Sequence, residues 1–247
     1  MVLLGLEEYI FIISQCAYVI INLILSGLFF GKYRKYKMVE LIHFSFTFLL
    51  LGVTAIGWII SFFKILIIGT PLADPIIYLM FSPFFFSLMF FLFGVISLIS
   101  MKERLIKFTK IGAIVISSVM FLIYIGAWFI DPDMVATTEG GIYTTWSILV
   151  SSLILISSVI MLFTASIFVY QCFETDNVEN KIKGKLLLIG ILTTALAGIA
   201  VIGVTLTSGW LNLLILIIFV YLFRIIGGIF FYIGFTLPQW VRKIALS

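Results

Sequence analysis

Residues 211–235 read LNLLILIIFVYLFRIIGGIFFYIGF, and this stretch decides the fold class. It holds one charged residue, Arg224, in a run long enough to cross a bilayer. A hydrocarbon core about 30 Å thick needs roughly 20 mostly apolar helical residues. Six further runs of this kind precede it, at about 9–30, 39–66, 76–100, 111–130, 145–171 and 186–207. The expected fold is therefore all-α: an integral membrane bundle of seven transmembrane helices occupying residues 1–238, followed by a short interfacial tail at 239–247.

Composition agrees. Of 247 residues, 63% are apolar and 11% charged, and mean hydropathy is +1.30. A soluble domain averages about half apolar and a quarter charged, so a soluble fold of this length has too little interior for this chain. That excludes a soluble enzyme, a nucleic-acid-binding module and a disordered protein. The first apolar run is too long for the core of a signal peptide and lacks a basic leader, so it reads as a retained span.

Charge sets the expected orientation. The loops after spans one, three, five and seven hold 13 of the 15 basic residues, from Lys32 and Arg34 to Arg242 and Lys243. The segments on the other side hold Glu7, Glu8, Asp74, Asp131, Asp133 and Glu139 and no basic residue. Basic residues collect on cytoplasmic loops, which puts the N-terminus outside a cell membrane and the C-terminus in the cytoplasm. Trp58, Trp128, Trp146 and Trp210 fall near the outer ends of their spans and Trp240 near the inner end of the last. These are headgroup levels, which suit a ring with one apolar and one wet edge. The net charge of +4 needs no nucleic acid; anchoring charge against anionic lipid accounts for it.

Ionisable groups inside spans are costly, so each is a functional candidate. Arg224 lies about eleven residues from the inner end, roughly 16 Å of helix, too far for easy snorkelling. No carboxylate lies mid-span, and Asn22 is its neighbour in depth. Two readings stand side by side: a structural arginine bonded within the bundle, or an anion or ligand contact. His43 and Glu40 share a helix face one turn into span two, as a proton-relay pair or a polar rim. Lys64, at the outer end of span two, reads as snorkelling to the headgroups. Pro83 in span three predicts a kink; the surrounding phenylalanines run all around the helix and read either as packing against lipid and neighbouring helices or, with the four outer tryptophans, as the lining of an aromatic outer pocket. Ala197, Ala200, Gly203, Gly227 and Gly228 predict close helix contacts.

Other chemistry is missing. Two cysteines, Cys16 and Cys172, and one histidine make neither a zinc site nor a bis-imidazole haem site, and no cofactor is expected. Nucleotide-binding, nucleophile-elbow and metalloprotease motifs do not occur, so no enzyme is expected. Span seven lacks the deep lysine that binds retinal in microbial rhodopsins. The proline of span three has no counterpart in a second triple of spans, which argues against the duplication found in many transporters.

One segment has a family likeness. Arg224-Ile225-Ile226-Gly227-Gly228-Ile229-Phe230-Phe231-Tyr232-Ile233-Gly234-Phe235, followed by Leu237-Pro238-Gln239-Trp240-Val241-Arg242-Lys243, resembles the exit from the last span in the seven-helix sensor regions of prokaryotic sensor kinases. The span number and expected orientation are similar too. The likeness implies a sensor of a small or apolar ligand. With no kinase domain before Ser247, it implies a free-standing sensor acting through a cytoplasmic signalling partner, or a fragment. A small-solute transporter or channel, and a subunit docked to a membrane-complex partner, remain the alternatives.

Overall fold

Helix boundaries follow local chemistry. A computed structural model describes residues 5–139, 143–207, 209–239, 241 and 243. The first helix, α1 (Leu6–Tyr36), opens with the Glu8 carboxylate accepting from the Gly5 amide at 2.7 Å. It ends where Lys37 adopts a left-handed φ of 59°. α2 (Val39–Thr54) and α3 (Ile56–Ile68) form one interrupted span, broken at Ala55 and closed by Gly69 at φ 80°. α4 (Asp74–Phe81) and α5 (Pro83–Leu98) form the next, broken at Ser82 because Pro83 has no amide to continue the ladder. α6 (Glu103–Ile130) stops at extended Asp131 before Pro132. Ser147 and Asn177 cap the next two helices by accepting from Val150 and Glu179 amides. These are α7 (Ile148–Glu174) and α8 (Val178–Leu206).

The last span has three parts. α9 (Gly209–Leu214) runs into a π-helical stretch, Ile215–Leu222, and then into α10 (Phe223–Thr236). Such wide turns are rare and are frequently found at functional sites. Among the described residues seven helical stretches are long and apolar enough to cross a membrane, which makes the chain a multi-pass, seven-helix bundle. Their large exposed side chains, such as Ile67, Phe129, Phe163 and Leu206, suit contact with lipid. The expected spans match in order and number, and the helices overrun several of them by a turn or two. Where a kink is expected at Pro83, the helix is interrupted at Ser82. The interfacial tail expected at 239–247, with Trp240, falls mostly outside the described residues.

Six spans form a closed ring. α1 packs on α2, α2 on α5, α5 on α7, α7 on α8, α8 on α10, and α10 returns to α1. The fourth span, α6, lies outside the ring, chiefly against α4 and α5. Close backbone approach sets the α8–α10 seam. A Cβ at Gly190 would meet the Gly227 carbonyl oxygen and the Phe231 amide, each at 2.9 Å.

A feature absent from the sequence reading covers one end. β1 (Ala136–Glu139) pairs antiparallel with β2 (Tyr143–Trp146), with Ala136 opposite Trp146. This hairpin is tied to the helices at two points, and a third bond extends its own ladder by one pair. Tyr78 Oη donates to the Ala136 carbonyl at 3.0 Å, Trp58 Nε1 to Thr144 Oγ1 at 2.8 Å, and the Ser147 amide to the Val135 carbonyl at 3.0 Å. Tyr124 Oη donates to the Tyr78 carbonyl at 2.6 Å and joins α6 to the same set. Tyr78→Phe leaves the buried Ala136 carbonyl without this donor and is expected to cost about 1–3 kcal/mol, read as a melting temperature several degrees lower. An unchanged melting curve would show that the hairpin is held without it.

The opposite end carries the basic loops. There Phe44 and Phe235 lie with centroids 4.6 Å apart, Phe231 and Phe235 4.8 Å, and Phe29 stacks on Phe48 at 5.5 Å. Aromatic layers thus lie at both ends of the ring.

Candidate functional site: a polar cavity at Arg224

Polar side chains in apolar helices usually bond to the preceding turn of their own backbone. Many here do: Thr47 Oγ1 to the His43 carbonyl, Ser87 Oγ to Phe84, Ser157 Oγ to Leu153 and Thr194 Oγ1 to Gly190. What distinguishes them is convergence. A cavity of about 80 Å³ lies inside the ring, and every ring span supplies it with a polar side chain. They are Asn22 from α1, Thr47 from α2, Ser87 from α5, Ser157 from α7, Thr194 from α8 and Arg224 from α10. The apolar wall includes Leu51, Leu88, Phe91, Met161, Ile191 and Phe231. α6 contributes nothing among the described lining residues.

Arg224 sits on the wall, half-buried, with its guanidinium carbon 5.9 Å from the centroid of the Phe84 ring. Among the described residues the ion pairs are Lys107–Glu103 and Lys183–Glu179, both near the basic end, and neither involves Arg224. Its polar neighbour is Tyr18, whose hydroxyl lies close enough to interact electrostatically with the guanidinium. Tyr18 is 2% exposed, and its hydroxyl makes no hydrogen bond of normal geometry, although Arg224 and Asn22 both lie close enough to interact with it. Asn22, one turn along, donates to the Tyr18 carbonyl at 2.8 Å.

A second cavity, about 30 Å³, adjoins the first toward the hairpin end, and Tyr18 and Arg224 line both. Gln15, Trp58, Phe81, Trp146 and Tyr221 complete much of its wall. Gln15 donates to Tyr221 Oη, while its carbonyl oxygen has no partner. The Trp58 and Trp146 rings meet edge to face at 5.8 Å, and Phe81 lies 4.3 Å from Trp146. All three span interruptions abut this cavity. Ala55 lines it directly, Phe81 precedes the Ser82 break, and Leu216, Val220 and Tyr221 belong to the π-helical stretch.

The sequence candidates therefore divide. Arg224 and Asn22 meet in the larger cavity, and Trp58 and Trp146 join Arg224 around the smaller. Trp128 and Trp210 line neither. Trp128 packs on Phe129 with an unpartnered indole nitrogen, and Trp210 is exposed. His43 and Glu40 also stand apart and form no ion pair within the described residues. The His43 ring packs against Phe93 at 5.6 Å and Phe90 at 6.3 Å, and its Nδ1 is unpartnered. Lys64 donates to the Pro71 carbonyl at 2.9 Å, a bond that ties it to the turn after its own span.

Tyr18, Gln15, Ser87 and Thr194 were not singled out from sequence. Gln15 carries a usable signal, an amide in the first apolar run; the hydroxyls carry none without knowledge of the ring's inner face. Among the described residues, no group of three or more histidine, cysteine, aspartate or glutamate side chains is placed to hold a metal ion. Compared with protein-family models, curated proteins and solved structures, the chain finds no match in any of the three.

Proposed function

We propose that this chain is a receptor-like seven-helix membrane protein. It binds a small ligand inside the ring at Arg224 and passes the resulting change along α10 to the basic end. One observation carries this reading: six spans converge polar side chains on a central cavity whose arginine has no acidic partner among the described residues. The described lining residues include no carboxylate, thiol or imidazole, which argues for binding rather than catalysis. Loop charge supports a cell-membrane orientation with the basic end in the cytoplasm. There the loop after span three, whose Ser100 amide donates to Gln171 near the end of α7 at 2.9 Å, and the loop after span five offer a surface to a signalling or membrane-complex partner.

A transporter is the second reading. A mid-span site with interrupted helices beside it and aromatic layers on both sides is an arrangement used by alternating-access carriers. Native mass spectrometry of the chain, released gently from its own membranes, tests binding. A stoichiometric small molecule retained by the wild type and lost by Arg224→Met is expected. Identical lipid-only spectra for both would overturn the binding reading. Flux of the identified molecule in proteoliposomes would move the assignment from receptor to transporter.

A further inference from the structure

We propose that the ligand of the Arg224 cavity is a short-chain organic monoanion, a monocarboxylate of about two to four carbons. This rests on the binding reading above and names its chemistry.

Charge comes first. Arg224 lies mid-span, and no described acidic side chain pairs with it. Phe84 offers a π face, which only partly replaces a counter-ion. Burying an arginine without an anion is unfavourable, and an anionic ligand removes that deficit. The second observation concerns the neighbour of Arg224. The buried Tyr18 hydroxyl, beside the guanidinium and without a hydrogen bond of normal geometry, lines the same cavity. It adds one donor beside the guanidinium and no second charge. One cation and one neutral donor match one negative charge; a dianion would leave a charge uncompensated.

Geometry then selects among monoanions. A planar carboxylate meets a guanidinium fork through two parallel hydrogen bonds, and lysine cannot reproduce that pairing. Beyond the polar patch the wall is apolar, with Leu51, Leu88, Phe91, Met161 and Phe231 around the remaining space. That wall suits a hydrocarbon body better than a hydrated inorganic ion. The volume of about 80 Å³ limits the body's size. An apolar protein cavity of about 150 Å³ accepts benzene, so roughly half that space takes a chain of a few carbons.

The test uses the full chain in lipid nanodiscs and reads thermal stability against concentration. The probes are acetate, propionate and butyrate, with 1-butanol, n-butylamine, succinate and nitrate as comparators. Saturable stabilisation of the wild type by the monocarboxylates is expected, and little by the comparators. Arg224→Met loses that response. Arg224→Lys and Tyr18→Phe weaken it about 10-fold or more. These two milder variants carry the test if Arg224→Met does not give a cooperative melt.

Equal stabilisation by butanol or butylamine, retained in Arg224→Met and Arg224→Lys, would overturn the anion assignment and leave the cavity as a binding site. Stabilisation by nitrate equal to that by butyrate would overturn the organic body. No response to any probe, together with no retained small molecule in native mass spectra, would remove both this assignment and the binding reading.

Discussion

Arg224→Met is expected to raise the melting temperature of the ligand-free protein while removing its response to ligand. The two effects have opposite signs, and that makes the substitution diagnostic. An arginine near the centre of a span costs at least about 2.5 kcal/mol on insertion scales. Here the visible compensation is the Phe84 ring and the proximity of Tyr18, and a cation–π contact returns about 0.5–2 kcal/mol. Methionine has a flexible apolar chain that can occupy much of the same space without that cost. The balance favours the variant by about 1 kcal/mol, a few degrees in melting temperature. A protein that keeps a destabilising charge at a cavity wall keeps it for what the charge binds. A melting temperature several degrees lower in Arg224→Met would instead make Arg224 an internal strut, and the function proposed for it would fall.

Gly190→Val is expected to have the largest effect on folding. A Cβ at residue 190 meets the carbonyl oxygen of Gly227 and the amide of Phe231, both at 2.9 Å. These are backbone atoms of α10 and cannot swing aside as a side chain tip can. Relief requires α8 and α10 to separate, and that seam closes the ring beside Thr194 and Arg224. Overpacking typically costs 1–3 kcal/mol, and a clash against backbone belongs above that range, at more than about 3 kcal/mol. The check is a thermal melt beside Gly27→Ala, where an added Cβ has nothing within 4 Å. That control is expected to be neutral or slightly stabilising, since alanine favours helix over glycine by about 1 kcal/mol. Equal melting temperatures for the two variants would show that the seam is looser than described.

The number and order of the spans were legible because bilayer thickness dictates run length, and nothing in a 25-residue apolar stretch competes with that signal. The break before Pro83 was legible because a missing amide is a local fact. The Ala55 break carries no comparable mark. The π-helical stretch at Ile215–Leu222 consists of Ile, Leu, Phe, Val and Tyr, which serve equally well in an ordinary helix. The hairpin does carry a short-range signal, since Thr, Tyr and Trp flank Gly140-Gly141 in sequence as strand formers flank a turn, but it is brief beside the apolar runs. In the site, Arg224 and Asn22 stood out because a polar residue in an apolar run is conspicuous at any azimuth. The tryptophans did not sort themselves, because sequence gives depth along a helix but not which neighbour lies across from it. Trp58 and Trp146 turn inward to each other, while Trp210 at a similar depth turns out.

The position of α6 outside the ring has a consequence for how freely the chain can vary. Its buried residues, Ala113, Ser117, Met120, Tyr124 and Ala127, recur at alternating intervals of four and three and make one narrow stripe. Its remaining surface touches neither cavity and chiefly restores the direction in which the chain re-enters the bundle. Parity, rather than shape, is what this crossing supplies. A saturation scan is therefore expected to find α6 the most permissive span, open to almost any apolar exchange except along those five positions.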